Sequence, residues 1–300
     1  MCDRPQIEKV EAGLLVRAPA KINLSLLIAG KRPDGFHEIE TIMAKVSLFD
    51  EILIQRGARP GIELQCKGPH WAPQGPENLV YRAAEALFDK AAVNSDIKIT
   101  LTKNIPAGSG LGSASSDAAA TIIGLNTFLS LNLDAETLAR AADTLGSDVT
   151  FFVYGPLAIC TGRGEKVSPL EQTYELEALV VLPDVNVSTK EVYENYTHLP
   201  EVYRNLHSRI DGLIRTGDLD AIVGMRANML AKTCYSLSPQ LAELKKEIEA
   251  LGIGPLCLSG SGSAMFCVIS RRGRKHAGEL QRTICDHTGC NTAIVKNVPW

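Results

Sequence analysis

The alternation of apolar and polar positions predicts short strands and amphipathic helices along the whole chain. Residues 14–29 and 38–55 are apolar runs of strand type, and the Pro-Asp-Gly turn between them predicts a hairpin. Apolar positions three and four apart predict a helix over residues 78–91, and Asp134 followed by Glu136 predicts the start of another. Further predicted elements are strands at 96–101, 178–182, 256–258 and 264–269, and helices at 213–230 and 239–251.

The order of these elements is mixed, which favours an α+β fold over a doubly wound parallel sheet. Gly155-Pro156 and the Gly162-Arg-Gly164 turn interrupt the pattern of strands, so we expect a domain boundary in this region. The predicted domains cover residues 1–157 and 158–300, and the chain is long enough for two cores of ordinary size.

Composition narrows the class of protein. The net charge of −3 provides no general attraction to nucleic acid or to anionic membranes, so we expect neither as a partner. Apolar runs are too short for a transmembrane span, and the acidic N-terminal segment lacks the apolar core of a signal peptide, so a cytoplasmic location is expected. The eight cysteines form no CxxC pairs, and we expect reduced thiols.

The most informative segment is a loop rich in glycine and serine that leads directly into an alanine-rich helix former. Glycines at positions 108, 110 and 112 allow tight turns and close approach of a ligand to the backbone. Free N–H groups at the start of the helix favour phosphate, so the segment is predicted to bind phosphate. Its residues are Pro106, Ala107, Gly108, Ser109, Gly110, Leu111, Gly112, Ser113, Ala114, Ser115 and Ser116.

Other glycine-rich motifs fit this segment less well. A Walker loop needs a lysine after its last glycine, and none follows Gly112. A dinucleotide fingerprint needs an acidic residue at the end of a second strand, whereas Asp134 is predicted to cap a helix. A flexible serine–glycine linker is the structural alternative, but linkers rarely continue into a helix with regular apolar spacing.

Four further segments carry polar groups that suit chemistry. Lys21 and Asn23 share one face of a predicted strand, although they could be solvated residues of an edge strand. Lys103 places a cation just before the phosphate loop, and Asp148 lies between a helix end and an aromatic pair, where it could also be a turn residue. A second loop, Ser259-Gly-Ser-Gly-Ser263, is longer than a hairpin turn requires and suggests approach of a ligand to the backbone.

Together these segments resemble the GHMP kinase family, which includes galactokinase, homoserine kinase and mevalonate kinase. The resemblance lies in three regions in the family's order, at residues 18–24, 105–119 and 258–266. It implies a two-domain α+β fold with an N-terminal, ATP-binding domain of ribosomal-protein-S5-like α/β type and a C-terminal α+β domain. The active site is expected in the cleft between them.

One branch of the family fits best, on the motifs Asp34-Gly-Phe-His37 and Val187-Ser-Thr-Lys-Glu-Val-Tyr193. That resemblance implies transfer of a phosphoryl group from ATP, with Mg²⁺, to a hydroxyl of a cytidine diphosphate conjugate in non-mevalonate isoprenoid biosynthesis. A homoserine or mevalonate type of kinase, or a non-catalytic nucleotide-binding relative, is the alternative. The enzyme is expected to be a monomer or a homodimer.

The resemblance also implies roles for individual residues. Asp148 would take the proton of the attacking hydroxyl and Lys21 would pair with it, while Lys103 and residues 106–116 would bind ATP, with Asn78 near adenine and no protein ligand of the metal identified. The implied substrate-binding residues are Asn23, Phe36, His37, Thr189, Tyr193, Gly260 and Ser261. The chain departs from the family pattern at Ser113 and Ala114, where glycines are usual, and at Phe36, where tyrosine is common.

Overall fold

The structure is a computed structural model, and it describes residues 6–171, 174–269 and 277–300. Its described residues form a seven-stranded sheet, a four-stranded sheet and helices packed on both, so the α+β prediction is confirmed. The first sheet contains β1 (Ile7–Val10), β2 (Gly13–Lys31), β3 (His37–Arg56), β4 (Ile62–Lys67), β5 (Ile97–Thr102), β6 (Leu157–Gly162) and β7 (Lys166–Pro169). The second contains β8 (Glu177–Leu182), β9 (Cys257–Leu258), β10 (Met265–Val268) and β11 (Asn291–Lys296).

The helices carry most of the apolar surface that covers these sheets. A short 3-10 helix, Gly75–Glu77, precedes the first of them. They are α1 (Leu79–Ala91), α2 (Ser113–Phe128), α3 (Ala135–Ala142), α4 (Val149–Val153), α5 (Thr189–Glu194), α6 (Pro200–Thr216), α7 (Leu219–Met225), α8 (Ala231–Leu237), α9 (Pro239–Ala250) and α10 (Ala277–Thr288). Within the described part of the chain, no helix is both long and apolar enough to span a bilayer.

The predicted hairpin is the backbone of the first sheet. Strands β2 and β3 pair antiparallel along nearly their whole length, and β3 also pairs with β6 at one end and with β5 at the other. Register shifts interrupt the β2–β3 ladder after Pro19 and after Asn23. Such bulges redirect side chains and are frequent beside active sites. Lys21 and Asn23 therefore lie on a short stretch of strand bounded by two irregularities.

Strand β2 contributes to three hydrophobic cores, the third of them through Leu26 and Ile28 near its end. Val16, in its first half, packs in a core that α1 and α2 supply. Ile22, in its second half, packs in another core with Ile210 of α6 and Phe266 of β10. Because both faces are covered, the strand is an almost unbroken run of buried residues. Strands β6 and β7 follow residue 157 and still belong to the first sheet, so the domain limits stated above stay a prediction.

The predicted helix over residues 213–230 is wrong. Helix α6 ends at Thr216, Gly217 adopts a left-handed conformation (φ 74°), and Asp218 caps α7 by accepting a hydrogen bond from the Ala221 N–H at 2.9 Å. The apolar spacing continues across this break because both helices cover the same core, so periodicity alone suggested one helix. The predicted helix start at Asp134 is confirmed. The Asp134 side chain caps α3 by accepting a hydrogen bond from the Thr137 N–H.

Helix α2 packs on the sheet closely enough that one glycine is required by space. A Cβ atom at Gly124 would lie 2.7 Å from both Ile54 Cδ1 and Val16 Cγ2. We predict that Gly124→Ala destabilises the protein by about 1–3 kcal/mol, as overpacking does in cores. Gly212 of α6 is the matched control, since its added Cβ meets open space, and Gly212→Ala should stabilise by at most about 1 kcal/mol. Urea denaturation measures both, and equal shifts would contradict this packing.

Candidate active site

A cleft of about 800 Å³ opens where the β2–β3 hairpin, the two glycine-rich loops and the start of α5 meet. Its walls include both residues implied in catalysis and all seven implied in substrate binding. These are Lys21, Asn23, Phe36, His37, Asp148, Thr189, Tyr193, Gly260 and Ser261. Of the residues implied in ATP binding, Gly110 and Gly112 line the same cleft.

Lys21 and Asp148 meet at the base of this cleft. The Lys21 ammonium lies 3.7 Å from an Asp148 carboxylate oxygen and donates to the Asn23 side-chain oxygen at 2.6 Å. The Asn23 amide in turn donates to the Thr41 hydroxyl at 2.8 Å, which donates to the backbone of β2. The chain of contacts fixes the lysine, whereas the Asp148 side chain keeps about a third of its surface open to the cleft.

Burial and charge act in opposite directions on this lysine. Burial lowers the pKa of the Lys21 ammonium below its ordinary value, and the nearby Asp148 carboxylate raises it again. Lys21 thus supplies positive charge beside the acceptor oxygens of Asp148. The pair can therefore accept a proton from a hydroxyl and stabilise negative charge within the same few ångströms.

The phosphate loop has the geometry of an anion site. Gly108, Gly110 and Gly112 all have positive φ (70°, 80° and 70°), so the backbone turns three times before α2 begins. The first intrahelical hydrogen bond runs from the Ser116 N–H to the Gly112 carbonyl. The helix therefore makes no use of the N–H groups of residues 113–115, which lie at the positive end of its dipole.

Close contacts at two glycines join this loop to its neighbours. A Cβ atom at Gly112 would lie 2.9 Å from Lys21 Cγ and 2.9 Å from Phe152 Cζ. A Cβ atom at Gly110 would overlap the Ser259 carbonyl oxygen of the second loop. That second loop is further attached by the Ser259 hydroxyl, which donates to the Gly110 carbonyl at 3.0 Å. Only glycine allows the loops and the lysine strand to approach this closely.

Lys103 lies beneath the phosphate loop, in a buried network that sequence reasoning missed. Its ammonium donates to Asp50 at 2.5 Å, to Asp117 at 2.7 Å and to the Ser113 hydroxyl. Asp50 also accepts from the backbone N–H groups of Asn104 and Ile105. The lysine thus anchors the segment that enters the loop, from a position that is 2% exposed.

Two carboxylates share this one lysine, so the network has an excess of negative charge. Burial raises the pKa of Asp117 well above its ordinary value, and the Asp50 carboxylate raises it further, while Lys103 lowers it. We therefore expect Asp117 to hold a proton more readily than an exposed aspartate. The sequence offers little signal for this network, because Asp50 of β3 and Asp117 of α2 lie 53 and 14 residues from Lys103 and belong to no motif.

Aromatic side chains form another part of the cleft wall. The His37 ring lies 5.4 Å from the Tyr193 ring, at an interplanar angle of 38°. Phe36 is 55% exposed, and the Arg163 guanidinium covers one face of its ring at 5.0 Å. Arg163 also lines the cleft, although its sequence context, between Gly162 and Gly164, indicates only a turn. The Thr189 and Ser261 hydroxyls lie 2.8 Å apart and join α5 to the second loop.

The surroundings of His37 favour its neutral form. Burial lowers the pKa of this histidine, with Lys31 and His198 acting in the same direction. A neutral imidazole has one donor and one acceptor nitrogen, so it can match the mixed donor and acceptor edge of a base.

Asn78 caps helix α1. Its side-chain oxygen accepts from the Val80 N–H at 2.9 Å, and its amide donates to the Pro73 carbonyl at 2.7 Å. The side chain is buried and both of its ends are engaged. Its implied position near adenine stays a prediction.

A metal would find no ready-made cluster of ligands among the described residues. No group of three or more His, Cys, Asp or Glu side chains in the described ranges could hold a metal ion. The Ser116 hydroxyl is buried and has no hydrogen-bond partner in the described part of the chain. It is an oxygen donor at the first turn of α2, next to the phosphate loop.

Comparison with known proteins identifies relatives along nearly the whole chain. Residues 78–156 match the model of the GHMP kinases N terminal domain, and residues 210–287 match the GHMP kinases C terminal model. A protein of Bacillus cereus is 37% identical over 88% of this chain and 90% of its own length, and one of Geobacillus is 38% identical over 90% and 91%. Both are called 4-diphosphocytidyl-2-C-methyl-D-erythritol kinase.

Solved structures show the same architecture. The crystal structure of a 4-(cytidine 5'-diphospho)-2C-methyl-D-erythritol kinase superposes with a TM-score of 0.75, at 31% identity over 95% of this chain and 99% of that one. A homoserine kinase from Cytophaga hutchinsonii superposes with a TM-score of 0.74 at 20% identity, covering 99% and 98% of the two chains. The second likeness extends to the fold alone.

The contact at Gly110 can be separated from backbone strain. Gly108 and Gly110 have similar positive φ, but a Cβ at Gly108 would meet only the Asn186 side chain, at 3.9 Å. We predict that Gly108→Ala costs about 1 kcal/mol of stability from left-handed strain alone. Gly110→Ala should cost about 1–3 kcal/mol more, because it also forces the two loops apart. Urea denaturation of both variants tests this, and equal losses would show that the loops do not depend on the contact.

Proposed function

The chain belongs to the GHMP kinase family and is a small-molecule kinase that uses ATP, and on that premise we propose its substrate. We propose that it transfers the γ-phosphoryl group of ATP to the 2-hydroxyl of 4-diphosphocytidyl-2-C-methyl-D-erythritol, in non-mevalonate isoprenoid biosynthesis. The observation that carries this proposal is the Lys21–Asp148 pair, 3.7 Å apart, in the cleft that Phe36, His37 and Tyr193 also line.

Binding of ATP is assigned to the phosphate loop. Backbone N–H groups of residues 108–115 would hold the phosphates, as the positive φ of three glycines and the exposed start of α2 suggest. Lys103 would act from beneath by holding the entry of the loop in place. Mg²⁺, when bound with ATP, would neutralise phosphate charge, and the unpartnered Ser116 hydroxyl is a protein oxygen suited to hold it.

Catalysis is assigned to Asp148 and Lys21. Phosphoryl transfer depends more on positioning and charge neutralisation than on covalent chemistry by the protein. Asp148 would accept the proton of the attacking hydroxyl, which it can reach because its side chain stays partly open to the cleft. Lys21 would pair with that carboxylate and would stabilise the charge on the transferring group. Asn23 would hold the substrate and the lysine together.

Recognition of the cytosine ring is assigned to the aromatic part of the cleft wall, at Phe36, His37 and Tyr193. Phe36 and Tyr193 offer ring faces for stacking, and a neutral His37 could match the hydrogen-bonding edge of the base. Thr189, Gly260 and Ser261 line the same cleft. All these residues come from one chain, so we propose that a monomer carries a complete active site. In a homodimer each subunit would have its own site. The proposed location is the cytoplasm.

The reaction itself provides the first test. We predict that ADP release is fast with 4-diphosphocytidyl-2-C-methyl-D-erythritol and near background with homoserine or mevalonate. Asp148→Asn should leave ATP binding nearly intact and lower kcat by at least about a hundredfold, the usual range for loss of a general base. A coupled ADP-release assay measures turnover, and calorimetry measures ATP binding. Turnover of mevalonate or homoserine instead, or an active Asp148→Asn variant, would refute the assignment.

Substrate recognition gives a second, independent prediction. Phe36→Ala should raise KM for the cytidyl substrate about tenfold and leave KM for ATP unchanged, because a stacked aromatic ring contributes about 0.5–1.5 kcal/mol beyond its buried area. Phe36→Tyr is the matched control, since it keeps the ring and should retain the wild-type KM. Initial rates at varied substrate concentration provide both constants. If Phe36→Ala raises KM for ATP as much as for the substrate, the stacking role is wrong.

A further inference from the structure

Two buried lysines face each other across the central hairpin. Lys21 of β2 and Lys45 of β3 are register partners, and directly opposite residues of an antiparallel pair project from the same face. Lys21 is 4% exposed and Lys45 is 1% exposed. Like charges in this arrangement are unfavourable, and burial adds a further cost. The proposed mechanism uses Lys21 and gives Lys45 no role.

Lys45 is attached to the end of helix α4. Its amine donates to the Phe152 carbonyl at 3.0 Å and to the Tyr154 carbonyl at 2.6 Å. Its own backbone N–H donates to the Pro156 carbonyl at 2.8 Å. Lys45 makes no ion pair within the described ranges, and its amine lies 5.9 Å from the centre of the Phe151 ring. Its bonds therefore go to backbone groups that the last turn of α4 leaves unpaired.

Helix α4 carries two parts of the proposed site although it is only five residues long. Asp148 immediately precedes it as the N-cap residue, without a capping hydrogen bond from its side chain. Phe152, near its other end, packs against Gly112 of the phosphate loop. A helix of one turn and a half has little stability of its own. Its position must therefore come from packing in the core together with the contacts made at its two ends.

We infer that Lys45 is a positioning residue, which fixes the end of α4 and thereby holds Asp148 within reach of Lys21 and of the attacking hydroxyl. The inference rests on the proposed function for its kinetic consequences. The two opposed lysines then hold the two ends of one short helix. Lys21 contacts the Asp148 carboxylate just before the first turn of α4. Lys45 donates to the Phe152 and Tyr154 carbonyls at the C-terminal end of the helix.

The protonation of the Lys45 amine is compatible with this positioning role. Burial lowers the pKa of Lys45 to about 7, so its neutral and charged forms are both populated near neutral pH. Both forms carry at least two N–H groups, which is the number that the two carbonyls need. An apolar side chain of the same length would fill the space without supplying either bond.

The first test compares Lys45→Met with a control on the same strand. Lys45→Met should lower kcat about tenfold or more with both KM values little changed, because a small displacement of a catalytic group reduces turnover rather than binding. Lys45→Gln, which keeps two N–H donors on a shorter side chain, should recover part of kcat. Val46→Ala truncates the next, fully buried residue, on the opposite face of β3, and should keep wild-type kcat. A kcat for Lys45→Met equal to that of Val46→Ala would overturn the inference.

A double mutant tests whether Lys45 acts through Asp148. If it does, Lys45→Met should lower kcat no further when Asp148→Asn is already present, since coupled residues are non-additive. An additional loss equal to that of Lys45→Met alone would overturn the inference. Hydrogen–deuterium exchange gives a readout that needs no substrate: Lys45→Met should speed exchange over residues 147–155, and Val46→Ala should not. Unchanged exchange would refute the positioning role, whereas a wild-type enzyme inactive on the cytidyl substrate would refute the proposed function alone.

Discussion

Backbone approach at two glycines is the constraint on which the site depends. At Gly112 the phosphate loop lies against the Lys21 side chain and the Phe152 ring, and at Gly110 it lies against the backbone of the second loop. Any side chain at either position would separate these segments. The loop that suits ATP, the strand that carries the lysine and the helix that follows the carboxylate can therefore meet only because a Cβ atom is missing at their junction.

Charge within this junction is arranged in two layers. In the upper layer, Lys21 has one carboxylate partner among the described residues, Asp148, which is partly open to the cleft and available for chemistry. In the lower layer, Lys103 is enclosed by Asp50, Asp117 and Ser113 and makes no contribution to the cleft walls. The Asp148 carboxylate therefore stays available to accept a proton. The Lys103 ammonium is instead fully engaged in holding the chain segment that enters the phosphate loop. Burial of both lysines is tolerated because each has oxygen partners within the protein.

Local patterns in the sequence were sufficient for the hairpin, helix α1, the glycine loop and the cap at Asp134, because these depend on neighbours in the chain. The resemblance to a family supplied what local pattern could not, namely that Lys21 and Asp148 meet although 127 residues separate their positions. The partners of Lys103 and Lys45 were missed because a carboxylate within a strand and a lysine between apolar residues look ordinary in isolation. The break at Gly217 was missed because both helices cover one core, so the apolar spacing runs across it.

Strand β2 has a consequence for recombination between members of the family. Its residues up to Ala18 complete one core and those from Ala20 onward complete two others, so three groups of side chains must pack against a single strand. A chimaera joined near residue 157 would combine a β2 from one parent with the α6, α7 and β10 of another. Such a hybrid would need the apolar positions of β2 after Pro19 to be exchanged together with the C-terminal half. The boundary between exchangeable segments therefore lies within strand β2 rather than in the connection between the two sheets.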